Sequence, residues 1–143
     1  MSAPMVHLSR RYTFAASHRL YADELPHEEN EAIFGKCANP NGHGHNYGLT
    51  VIVRGPVDPE TGFVMPLGEL DDAVRRNVLD LYDHRYLNLD VEDYVHLVPT
   101  GENMARMIWE RLSGPLAGRI ERVILDETRN NHFEYPHVTG ANP

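Results

Sequence analysis

The chain has one cysteine in 143 residues, so no disulfide can form within it. That scarcity fits a reducing compartment, and the cytoplasm is the expected location. Long apolar runs are missing too. Nothing approaches the roughly 18 consecutive apolar residues of a membrane-spanning helix, and the opening MSAPMVHLSR lacks the apolar stretch of a secretion signal. Basic residues are few: 13 Lys and Arg against 21 Asp and Glu leave a net charge of −8. A nucleic-acid backbone is bound mainly through clustered Lys and Arg, so neither nucleic acid nor membrane is an expected partner. Internal repeats and low-complexity tracts are absent. A length of 143 residues, 41% hydrophobic, suffices for one domain over 1–143 with a buried core.

Histidine, by contrast, is plentiful, with nine residues. Two of them stand as His43-Gly44-His45, downstream of Cys37 in the segment GKCANPNGHGHNYG. On an extended backbone, residues i and i+2 point to the same side. A strand can therefore offer two imidazoles to one zinc ion, each bond spanning about 2.0–2.1 Å. His18, on the apolar face of an earlier predicted strand, supplies a third. Three histidines leave one coordination position open, as in catalytic zinc; structural zinc needs a fourth protein ligand, and Cys37 is the only thiol. Cys37 itself reads as a small buried hydrophobe, a fourth ligand or a reactive group. It lies in a Gly/Asn/Pro-rich turn beside Lys36, and neighbouring positive charge favours a thiolate. Metal-dependent amidohydrolases also carry H-x-H, but on a barrel of about 250 residues, too large for this chain.

Periodicity gives the order β-β-α-α-β-β. Residues 10–20 alternate as a strand, with Tyr12, Phe14, Ala16, His18 and Leu20 on one face. Residues 21–44 read as a long loop with a short helix around 28–33, and a second strand runs over 45–54. Leu67, Leu70, Val74, Val78 and Leu81 follow helical spacing, whereas residues 82–99 read as irregular. A second helix begins at Thr100 as N-cap and buries Met104, Ile108 and Leu112 before Gly114-Pro115 stops it. Strands over 120–128 and 132–135 complete the chain. The expected fold class is α+β, a four-stranded antiparallel sheet with two helices on one face.

Four further residues carry candidate chemistry. Asp83-His84, closing the first helix, reads either as an exposed helix end or as a carboxylate–imidazole pair trading protons with Cys37. Glu127 ends the third strand on the face of Val123 and Leu125, where a carboxylate needs a partner. That partner is either a structural arginine or the N–H groups of an amino-pyrimidinone ring. Thr100 and Glu102 read as a cap and a first-turn acid. His7, His27, His96, His132 and His137 have no comparable spacing and are expected at the surface.

In their order along the chain, FAASHRL, FGKCANPNGHGHNY, TGFVMPLGELDD, DHRYLNLD, PTGEN and DET resemble the 6-pyruvoyltetrahydropterin synthase family. The likeness runs from about Tyr12 to Tyr135, and its most specific part is Cys-x5-His-x-His. It implies a tunnelling (T-) fold, whose sheets join into a trimeric barrel, with two trimers forming a hexamer and active sites between subunits. It also implies zinc on His18, His43 and His45, with magnesium as a further candidate ion. Cys37 matches the catalytic proton acceptor, and Asp83 and His84 match a dyad supplied by a neighbouring subunit. Glu127 matches the carboxylate that anchors a pterin, with Thr100 and Glu102 nearby. The implied substrate is 7,8-dihydroneopterin triphosphate, with Lys36, Arg19 and Arg129 as candidate cations for its triphosphate. A related branch, 6-carboxytetrahydropterin synthase of queuosine biosynthesis, shares fold and triad; its cysteine usually lies closer to H-x-H, so the spacing here favours the pyruvoyl branch. Gly101 departs from the polar residue common in the family. The alternative from another class is a non-catalytic zinc- or pterin-binding module.

Overall fold

In the computed structural model, which describes residues 3–137, the elements are β1 (Met5–His18), α1 (His27–Phe34), a 3-10 turn (Gly35–Ala38), β2 (His43–Pro56), α2 (Leu67–Val74), a π-helical turn (Arg75–Leu79), α3 (Asp80–Tyr82), β3 (Arg85–Tyr86), α4 (Leu87–Asp90), a second 3-10 turn (Glu92–Tyr94), α5 (Gly101–Ser113), β4 (Ile120–Asp126) and β5 (His132–Tyr135). The class is α+β, as the sequence pattern requires. β1 and β2 are antiparallel in unbroken register from Met5 opposite Pro56 to His18 opposite His43. Alternation sends Phe14, Ala16 and His18 of β1 and Tyr47, Leu49, Val51 and Val53 of β2 to the same buried side. Full burial of such an apolar side chain stabilises by roughly 1.5–3 kcal/mol, which fixes the register.

The sheet has five strands, in the order β3-β1-β2-β4-β5, not four. β3 pairs parallel with β1, through Ala16–Arg85 and Ser17–Tyr86, so the sheet is mixed. The expectation of a purely antiparallel sheet fails because two residues are too short to show a period. The region expected to be irregular after residue 82 in fact holds β3, α4 and a 3-10 turn.

The helical stripe also differs from expectation. Leu70, Val74, Val78 and Tyr82 are fully buried, whereas Leu81 is 37% exposed and Leu67 36%. The π turn underwinds the helix, so a spacing of four residues stays on one face and Tyr82 takes the place expected for Leu81. α5 behaves as predicted. Thr100 caps it, its Oγ1 accepting from the Asn103 N–H at 3.2 Å, and Met104, Ile108 and Leu112 are buried. The segment before Cys37 is ordered by Asn30, which is fully buried. Its Oδ1 accepts from Ala22 N, and its Nδ2 donates to the carbonyls of Ala22, Leu25 and Pro26.

Candidate active site

The strand register builds the site. His18 ends β1 directly opposite His43, which opens β2, and His45 lies two residues on, facing the same way. Gly42 sets where β2 begins. Its φ of +71° is left-handed, and a Cβ there would meet the His18 carbonyl oxygen at 3.0 Å, so both conformation and space require glycine. One ligand atom from each of His18, His43 and His45 lies within 4.8 Å of the other two. His18 Nε2 and His43 Nε2 are 3.0 Å apart. Two ligands of a tetrahedral zinc stand about 3.3 Å apart, so the donor set fits that ion.

The rings are prepared for a cation. His18 is fully buried, and its Nδ1 donates to the Pro99 carbonyl at 2.8 Å, leaving the Nε2 lone pair free. Burial pulls its pKa down to about 4 against the opposing pull of the Pro99 carbonyl, and it lowers that of His43 as well. Both are neutral imidazoles at pH 7, the form that binds metal. His43 Nδ1 is buried without a hydrogen-bond partner. Tyr47 Oη lies 3.4 Å from His18 Nδ1.

Glu127 follows the end of β4, and its Oε2 lies 4.0 Å from His18 Nε2 with the side chain only 13% exposed. Among the described residues no arginine pairs with it, which removes the structural-arginine reading and leaves a carboxylate beside the imidazoles. Cys37 occupies the 3-10 turn, half-exposed, and is not among the groups that converge on the candidate metal position. Its sulfur is therefore not placed as a fourth ligand.

Asp83 and His84 close the helix that begins at Leu67, as expected, with Asp83 as its C-cap, its N–H donating to the Leu79 carbonyl at 2.9 Å. α3 ends at Tyr82, Asp83 is extended, and His84 has a φ of +61°. Asp83 Oδ1 accepts from Ala15 N at 2.9 Å and lies 3.0 Å from His84 Nδ1, so the carboxylate–imidazole pair is formed. The Ala15 N–H chiefly holds the Asp83 carboxyl below the usual range, with His84 adding to the effect. His84 is 82% exposed and borders a cleft lined also by Ser17, Asn46 and the candidate ligand His45. Among the described residues, no hydrogen bond or ion pair links His84 to Cys37 or to the three imidazoles of its own chain. Thr100 lies beside Pro99, which holds His18, and Glu102 is exposed in the first turn of α5.

Two contributors escaped the sequence reading. The Pro99 carbonyl gives no residue-type signal at all. Tyr47 could have been found, since H-x-H-x-Y continues the alternation of β2 onto the same face.

Residues 7–137 match the sequence profile described as 6-pyruvoyl tetrahydropterin synthase. The chain is 46% identical over 129 residues to the 6-pyruvoyl tetrahydrobiopterin synthase of Homo sapiens, covering 90% of this chain and 89% of that protein. It is 40% identical over 134 residues to the Drosophila melanogaster protein of the same name, covering 92% and 80%. The solved structure of Caenorhabditis elegans 6-pyruvoyl tetrahydropterin synthase superposes with a TM-score of 0.91 at 40% identity, covering 96% of this chain and 99% of that one.

Proposed function

Since the chain belongs to the 6-pyruvoyl tetrahydropterin synthase family, we propose that it is a lyase converting 7,8-dihydroneopterin triphosphate to 6-pyruvoyltetrahydropterin and triphosphate. Its fold is the T-fold of that family. The single observation that carries the reading is the convergence of three imidazoles with a nearly buried carboxylate, Glu127, at their edge. The reaction needs no external electron carrier, because the hydrogens lost by the side chain are gained by the ring.

His18, His43 and His45 would hold zinc, which when bound supplies Lewis-acid stabilisation of charge developing on the side-chain oxygens. Cys37, as thiolate, accepts carbon-bound protons. His84, oriented by the Asp83 carboxylate, exchanges protons with the solvent side. Glu127 accepts N–H bonds from the pterin ring and holds it in register, with Thr100 and Glu102 bordering that end. Magnesium would assist only at the triphosphate, whose oxygens suit a hard cation.

A homo-oligomer, a hexamer of two trimeric barrels, is part of the proposal. Ala15 directs its N–H to Asp83 and its C=O to His84 N, so His7, Ser9, Arg11 and Thr13 point the same way, toward an edge that β3 covers only at Ala16 and Ser17. An unpaired edge of that length invites a strand from another subunit. No helix among the described residues is long and apolar enough to cross a membrane. Work in the cytoplasm as a single domain over 1–143 completes the reading.

The test is zinc-loaded protein with 7,8-dihydroneopterin triphosphate, products identified by mass. A pyruvoyl product supports the proposal; a carboxypterin with acetaldehyde assigns the chain to the carboxy branch instead. Cys37→Ala should keep its zinc and lose turnover. If zinc leaves with the thiol, Cys37 is a ligand and the module is structural.

A further inference from the structure

Arg19 directly follows His18, and its bonds run to the other two parts of the proposed machinery. Its Nε donates to the Ala38 carbonyl at 2.9 Å, while the next residue, Leu20, donates its N–H to the Cys37 carbonyl at 2.8 Å. Residues 19 and 20 thus hold two successive carbonyls of the turn that carries the thiol. On the other side, Arg19 N donates to Asn88 Oδ1 and Arg19 O accepts from Asn88 Nδ2, each at 2.8 Å. Asn88 lies in α4, directly after Asp83, His84 and β3. The guanidinium carbon stands 3.9 Å from the centre of the Tyr21 ring, a cation–π contact that fixes its plane.

The turn at Gly35–Ala38 needs this support. It is four residues long, and the Asn39 N–H caps it on the Lys36 carbonyl at 3.1 Å. A 3-10 turn that short, with poorer hydrogen-bond geometry than an α-helix, is weakly determined by itself. We propose that Arg19 is a positioning residue: it fixes the Cys37 turn against the end of β1, where His18 stands, and against the segment that bears Asp83 and His84. A guanidinium whose Nε and flat face are both engaged by the protein serves as a holder, not as a free cation waiting for triphosphate.

The inference rests on the reading of Cys37 as the reactive group. Its test compares Arg19→Gln, Arg19→Lys and Asn88→Ala with the unsubstituted enzyme, measuring zinc per subunit, kcat, KM and the rate of Cys37 alkylation by iodoacetamide. Arg19→Gln should keep its zinc and hold KM within about two-fold. Its kcat should fall about ten- to a hundred-fold, as misplacement of a reacting group does, and the alkylation rate should change several-fold. Arg19→Lys, which keeps charge but loses the planar fork, should retain more activity than Arg19→Gln. Asn88→Ala should shift both readouts in the same direction, less far. An unchanged kcat and alkylation rate in Arg19→Gln would overturn the proposal, as would a kcat that falls only in step with zinc loss. Cys37→Ala run in parallel separates the two ideas. If it stays active, the role of Cys37 is wrong, while the alkylation comparison still decides whether Arg19 sets the turn.

Discussion

His18 is buried without charge, and the metal-free protein carries the cost of that arrangement. Burial lowers its pKa from 6.5 to about 4. Between those values the unfolded chain binds a proton that the folded chain refuses, so stability falls as pH drops through that window and is regained as pH rises. The shift corresponds to about 3 kcal/mol in full. Urea unfolding of chelator-treated protein, from about pH 7 down to about pH 4, should show this loss, and His18→Gln should lose markedly less over the same span. A second residue-scale prediction concerns Gly101, where an added Cβ would lie 2.0 Å from the Phe133 ring. Gly101→Ala should destabilise by about 1–3 kcal/mol through overpacking. In a Phe133→Ala background the same change should be neutral or stabilising, because alanine otherwise favours a helix over glycine. Glycine at this position, expected from the resemblance to be a departure, thus has a steric reason on β5. It was visible in the sequence as an oddity, but its cause was not, since Phe133 lies 32 residues further on.

At the scale of elements, the strands were legible wherever alternation ran for several residues. That is why alternation alone assigns the faces of His18, His43 and His45. β3 and the π turn were not legible, because the first is two residues long and the second changes the period of a helix without changing its composition. The pairing of Asp83 with His84 was legible only as one of two readings, because it depends on the chain leaving the helix at Tyr82 and turning through a left-handed residue. The loop before Cys37 depends on a single amide. Asn30→Ala would strip four hydrogen bonds and leave the Ala22 N–H and C=O without that partner. The expected loss is about 2–3 kcal/mol by denaturant titration, since buried groups left unpaired bear their full desolvation cost. Asn30→Asp should recover only part of it, because a carboxylate can still accept from Ala22 N but cannot donate to the three carbonyls.

For the whole molecule, the decisive issue is which chain completes which site. Asp83 and His84 form a bonded pair at the open edge of β1, where His84 borders a cleft that His45 also lines, yet among the described residues no hydrogen bond or ion pair joins the pair to the imidazole trio or to Cys37 of its own chain. In a closed ring of subunits, that edge is where the next chain joins, so the pair would serve a neighbour's metal and thiol. This makes a prediction that no single-chain site satisfies. Cys37→Ala and His84→Ala should each be inactive as pure proteins while keeping their zinc. After the two are unfolded together and reassembled in equal amounts, some sites will combine an intact Cys37 from one chain with an intact His84 from its neighbour. Random assembly places about one quarter of sites in that state, so activity should return toward a quarter of the unsubstituted level. Separately refolded samples mixed afterwards should stay inactive until subunits exchange. If co-assembled protein shows no recovery while light scattering confirms mixed oligomers, the dyad works within its own chain, and the chain must then rearrange to bring His84 round to Cys37.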